Sequence, residues 1–288
     1  MRFKMLVCIT LGFLSGRAFT NDRVIIKPEP MATARLLERA KAYTKDYPND
    51  PKGFATLGKI HATAFMFQAT YLNSKWATQF RKDKPPFVMA SKPEYSPTEA
   101  EAMIRILTRR NLRQMPPRED PSFGLEVKEE IALLAREGWK EPVMAPIALI
   151  HHCKAALAAF EKAANMPPDG IPDHRAGDLL QLAQLHELVL DPKRRDVWQG
   201  IDGAPEPAPP ERIAGLFARA YDLIFKYDHK KIPGIAWDLP LNGLVSHKAA
   251  EGYLRCLPQG PRASEMTAYL QKLREMETKA KMPSKSQH

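Results

Sequence analysis

Apolar residues recur every three to four positions along most of this chain, the spacing that lines one side of an α-helix. Leu36, Leu37, Ala40 and Tyr43 form such a stripe and predict a helix over 31–47, with Asn21 to Pro30 as an extended lead-in. Tyr47-Pro48-Asn49-Asp50-Pro51 stops it and starts the next, which carries Phe54, Leu57, Gly58, His61, Ala64 and Phe65 and fades near Asn73 to Trp76. Lys82 to Pro97 is proline-studded and charged, a connection rather than an element.

Ser96-Pro97-Thr98-Glu99 has the form of a capping box with proline at the first helical position. The helix it opens runs to about Gln114 and turns Ala100, Met103, Ile104 and Leu107 inward. A shorter helix over about 125–137 is closed by Gly138. Two amphipathic helices follow across 145–190, joined by a proline-rich turn. Beyond a breaker region at 191–210, Ile213, Phe217, Ala220, Leu223 and Ile224 mark a helix over 211–227. Helices over 243–257 and 263–279 are separated by Pro258-Gln259-Gly260-Pro261. Alternating strand patterns are scarce, so the expected class is all-α.

A second pass finds a repeat. Ala156, Phe160, Ala163 and Pro168 match, in order and spacing, the second helix of a tetratricopeptide repeat, and Phe54-x-x-Leu57-Gly58-x-x-His61 is similar to the first helix of that family. Leu179-x-x-Leu182-Ala183-x-x-His186 repeats the first-helix pattern, and Phe217 with Ala220 resembles another second helix. The chain thus resembles a secreted bacterial tetratricopeptide-like protein with long inserts. That likeness implies a short α-solenoid in which 51–70 pairs with 146–166 across an insert of about 77–145. It further implies that 174–190 pairs with 211–227, and that a degenerate hairpin covers 243–280. In the family the small residues allow close helix approach and the aromatic fills the groove between helices. A concave groove would then be lined by Lys52, Ala55, Lys59 and Ala62, and by Leu180, Gln184 and Glu187. Of these, Lys52, Lys59, Gln184 and Glu187 are the expected partner-binding side chains.

Met1 to Ala18 has the make-up of an export signal: Arg2 and Lys4, an apolar run from Met5 to Leu14, and Gly16-Arg17-Ala18 at a small-x-small cleavage site. The apolar run is about half the length a spanning helix needs. Export implies a periplasmic or extracellular protein, with residues 19–280 as one helical domain and 281–288 as a disordered basic tail. Without Arg2, Lys4 and Arg17, the 43 basic residues outnumber the 33 acidic ones by seven. That excess reads as a solvated basic surface more readily than as a nucleic-acid site, since no aromatic residues interleave with Arg105, Arg109 and Arg113. Lys193-Arg194-Arg195 and Lys230-Lys231 add to the basic faces and leave open an anionic-polymer binder.

Candidate chemistry is sparse. His151, His152 and Cys153 invite a metal, but consecutive helical residues point about 100° apart and cannot face one ion without help. His186-Glu187 lacks a second histidine at zincin spacing. No nucleophile elbow, phosphate loop or dinucleotide fingerprint occurs. Cys153 and Cys256 remain after the leader, as two thiols or one disulfide. The expectation is a non-catalytic scaffold that binds a protein or peptide, with no cofactor, metal or nucleic acid. The alternative is a helical enzyme or metal protein using His151, His152 or His186.

Overall fold

The computed structural model describes residues 29–77, 87–111, 121–167, 172–191, 201–228 and 245–281. Among these the chain is mainly α, with nine helices and one three-stranded antiparallel sheet. Their contacts divide into two compact units, one drawing on Val24–Gly170 and Leu185–Pro207, the other on Ile171–Gln184 and Ala208–His288. The leader, Pro168, Arg113, both lysine-rich clusters and the C-terminal tail lie outside the described residues.

The sheet corrects the all-α expectation. Strands β1 (Glu29–Ala32), β2 (Tyr71–Ala77) and β3 (Phe87–Ser91) pair antiparallel in that order, with Pro30 opposite Asn73 and Ser74 opposite Ala90. Pro30 therefore sits in an edge strand, where its missing N–H costs no ladder bond, and not in a first helical turn. No alternation marks β2 at Leu72, Asn73 and Ser74, which lie consecutively in the interior. Alternation marks a half-buried strand, and a strand buried throughout loses it.

Helix α1 (Thr33–Asp46) buries Leu36 and Ala40. Its start is tied to the chain beyond the next helix, where the Thr33 N–H donates to the Thr70 carbonyl at 2.8 Å and the Thr33 hydroxyl donates to the Ala69 carbonyl. Asp50 then serves two helices at once. One carboxylate oxygen accepts the Lys52 N–H and caps α2 (Pro51–Phe67), while the other accepts the Tyr43 hydroxyl of α1 at 2.7 Å. Burial, reinforced by that bond to a carboxylate, pushes the Tyr43 hydroxyl well above its ordinary range. Gly53 lets the helices meet, since a Cβ there would stand 2.9 Å from Tyr43 and Thr44.

Ten of the seventeen residues of α2 are buried, which makes it a central helix rather than a surface one. Gly53 faces α1, and Gly58, five residues on and roughly 140° around the axis, faces α5 (Pro146–Asn165). The insert between α2 and α5 has regular structure among its described residues. It contains most of the sheet, α3 (Pro97–Arg109) and α4 (Pro121–Arg136). The Ser96–Glu99 capping box forms in full, with Ser96 Oγ accepting the Glu99 N–H at 3.2 Å and Glu99 Oε2 accepting the Ser96 N–H at 2.9 Å. Ala102, Met103 and Ile106 of α3 pack with Phe123, Val127 and Leu134 of α4. Ala102, Ile106 and Leu134 are fully buried here, while Ile104 and Leu107, expected inside, are half-buried. Gly138, at φ +72°, closes α4.

In the other unit α7 (Pro210–Asp228) packs on α8 (Val245–Cys256) by the same device: Phe217 lies over Gly252, where any Cβ would collide with the ring. The hairpin of α8 with α9 (Ala263–Lys281) matches the expected third pair. It is fastened by a buried Ser246–Tyr269 hydroxyl bond of 2.6 Å and by Arg262, whose N–H donates to the Tyr253 hydroxyl while its guanidinium clasps Asp222 and Glu265. Helix α6 (Pro172–Leu190) is divided between the two units.

Candidate functional site

The strongest concentration of chemistry lies where α2 meets α5. Three contacts fix how these helices run. Lys162 Nζ stands 4.0 Å over the Phe54 ring, Phe160 covers Gly58, and His61 meets His152. Residue numbers rise along α2 as they fall along α5, so the helices are antiparallel. Phe160 is 1% exposed, and its Cδ1 and Cε1 lie 2.8 Å from where a Cβ on Gly58 would stand. Glycine is required here by close approach, since the helical backbone asks for none.

One to two turns away, the Nδ1 atoms of His61 and His152 are 2.9 Å apart across 91 residues of sequence. One ring must donate and the other accept, so the contact needs at least one of the two Nδ1 atoms without a proton. Both rings are buried, at 4% and 9% exposure. Burial is the main reason their basicity drops, His61 to about 3 and His152 to about 4. The neighbouring rings and, for His61, Lys41 of α1 act in the same direction. Both are therefore neutral at pH 7. His151 completes a three-ring cluster, its centroid 5.9 Å from His61 and 6.1 Å from His152. It is exposed, however, while its neighbour points inward, as the 100° step between consecutive helical residues requires.

The sequence set His151 beside His152 and compared His61 with His186. The structure joins His61 to His152 and leaves His186 buried on α6. The predicted helix pair brought together the two helices that carry these histidines, but periodicity did not specify which residues meet. Once Gly58 sits on Phe160 in an antiparallel arrangement, a residue one turn along α2 falls opposite a residue earlier in α5. Cys153 is buried and Cys256 half-buried, each as a thiol and neither in a disulfide. Among the described residues no three His, Cys, Asp or Glu side chains gather in a set that could hold a metal ion. Nor is any described helix long and apolar enough to cross a membrane.

The expected groove residues are distributed as follows. Lys52, Lys59, Gln184 and Glu187 are half-buried, whereas Ala55, Ala62 and Leu180 are buried. Of the repeat positions, Gly58, His61, Ala156, Phe160, Ala163, Leu182, Ala183, His186, Phe217 and Ala220 are buried, and Phe54 and Leu57 are half-buried.

Among the described residues the arginines of α3 and of the turn that follows it are partnered. Arg105 donates to Glu137 at 2.7 Å and to Glu101 at 3.1 Å, Arg109 donates to Glu130 at 2.8 Å, and Arg110 pairs with Glu126. Glu130 is itself buried. These carboxylates, on α3, α4 and the turn that closes α4, neutralise the arginines that a phosphate would otherwise contact, which weakens the anionic-polymer reading of this face.

No family model matches the chain, and no curated protein or solved structure matches it either.

Proposed function

We propose that this chain is a non-catalytic helical-repeat scaffold of tetratricopeptide type, exported from the cell, that binds a protein or peptide. The observation that supports it most is the seating of Phe160 on Gly58. An aromatic and a small residue meet at the two positions the repeat pattern nominates, from helices that an insert of about eighty residues separates in sequence. The Phe217–Gly252 contact uses the same pairing of residue types, but it joins α7 to α8 and not to the helix over 174–190 with which the repeat pattern paired it.

The His61–His152 pair favours a structural reading over a catalytic one. Each Nδ1 of the His61–His152 pair is committed to the other, and both rings are neutral and withdrawn from solvent. A general base needs reach to a substrate proton, which a ring so placed lacks.

For binding we nominate Lys52 and Lys59 on α2, and Gln184 and Glu187 on α6, each pair tested by itself. The assay is affinity capture from the cell envelope of the source organism. Its variants are Lys52→Glu/Lys59→Glu and Gln184→Ala/Glu187→Ala, compared after their helicity is shown to be unchanged. Loss of a partner with either variant supports the assignment, and a partner retained by both overturns it. Export is tested separately by sequencing the N-terminus of the mature protein. A start at Phe19 supports cleavage after Ala18, and an intact Met1 overturns it.

A further inference from the structure

Histidine pairs that share one hydrogen bond respond to acid in a way that single buried histidines do not. We propose that the His61–His152 contact is an acid-sensitive latch, which holds α2 against α5 while both rings are neutral and lets the two helices part when the rings take up protons.

The geometry carries this in three steps. The 2.9 Å Nδ1–Nδ1 contact has room for one proton between the rings. A first added proton can go only to an outward nitrogen and leaves a charge in an interior where both side chains are more than nine-tenths buried. A second must take the remaining Nδ1 lone pair, which places two N–H groups head to head and removes the bond. Parting the helices relieves both penalties, since water solvates each imidazolium.

Among the described residues the surroundings offer these charges no compensation. Lys41 on α1 and His151 on α5 are the titratable neighbours that bear on the pair, and both are cationic when charged. Asn73, Ser74 and Ser91, the buried polar side chains of β2 and β3, carry no charge. The pair is also placed to matter, because α2 is the helix on which α1, α5 and the sheet converge.

Folding lowers the basicity of both rings from the ordinary 6.5 to about 3 and about 4. Below pH 6.5 the opened state therefore binds more protons than the closed one. The stability contributed by closure is fully present above pH 6.5 and is lost as the pH falls toward 4. Two protons are taken up on opening, so the opening constant should rise by as much as about 100-fold per pH unit within that window, and by on the order of 10² to 10³-fold between pH 7 and pH 5.

The test is native-state hydrogen exchange on the full chain at pH 7, 6 and 5, corrected for intrinsic exchange rates, reading α2 and α5 amides against those of α7 and α8. The expected result is an opening constant for α2 and α5 that climbs about tenfold between pH 7 and 6 and approaches a slope of two in log units per pH unit only between pH 6 and 5, while His61→Phe/His152→Leu abolishes that rise. A slope below one between pH 6 and 5 in the native chain, or one unchanged in the variant, overturns the latch. Should the variant fail to fold, ring NMR of the native chain decides. Both rings neutral at pH 5 in the closed protein supports the latch, and either ring charged there at pH 6 overturns it.

Discussion

Consider adding a single methyl group to α2 as Gly58→Ala. Two effects oppose each other. Alanine is favoured over glycine in a helix interior by about 0.5–1 kcal/mol, so on an open helix face the substitution would stabilise. Here the new Cβ would stand 2.8 to 2.9 Å from three carbons of the Phe160 ring, and that ring is too deeply buried to swing aside. Overpacking of this kind costs about 1–3 kcal/mol, so the clash should win, with a net loss of about 1–2 kcal/mol. Phe160→Ala alone should cost about 3–5 kcal/mol. With the ring gone the clash vanishes, so Gly58→Ala made in the Phe160→Ala background should stabilise by about 0.5–1 kcal/mol relative to that background. The sign of one substitution thus reverses with the presence of the other. The assay is a double-mutant cycle by urea denaturation, followed by far-ultraviolet circular dichroism and by a probe confined to α2. Gly58→Ala acting with the same sign and size in both backgrounds would refute the contact.

Three further outcomes are expected. Ser96→Ala removes one half of a complete capping box and should destabilise the protein by about 1 kcal/mol, with Glu99→Ala in the same background adding little; thermal denaturation of both variants checks this. Ser246→Ala removes the 2.6 Å bond to the Tyr269 hydroxyl and should cost about 1 kcal/mol, whereas Tyr269→Phe/Ser246→Ala should recover part of it; denaturant midpoints of the two decide. Zinc or copper offered to the purified protein at neutral pH should not bind stoichiometrically at the histidine cluster, as equilibrium dialysis with elemental analysis will show; one metal ion per chain, lost on His152→Ala, would overturn the structural reading of these rings.

Much of the helical layout could be read from the chain because its boundaries are written in local chemistry. The Tyr47 to Pro51 stop, the Ser96 box and the Pro258 to Pro261 break each act through their own backbone groups. The α2–α5 pairing was also readable, since close helix approach demands a small residue opposite a large one, and Gly58 and Phe160 stand at the nominated positions. The sheet was not readable. Its central strand hides polar Asn73 and Ser74 beside Leu72, and a pattern with no alternation carries no period. The histidine pair lay in between. His152 was visible as the half of a doublet that could face inward, but its partner depends on the relative sliding of two helices, which periodicity does not specify. The arginines of α3 show the same limit, because their spacing could be seen while the carboxylates of α4 that neutralise them could not.

The claim on which the rest depends is that helices far apart in sequence meet with His61 and His152 neutral and hydrogen-bonded between them. In protein labelled with ¹⁵N at histidine, scalar coupling across a hydrogen bond can be observed directly between the two nitrogens. At neutral pH the structure predicts one Nδ1-bound proton whose resonance correlates with both the His61 and the His152 Nδ1. Two rings that titrate independently, with no shared proton and no coupling between their Nδ1 atoms, would contradict it.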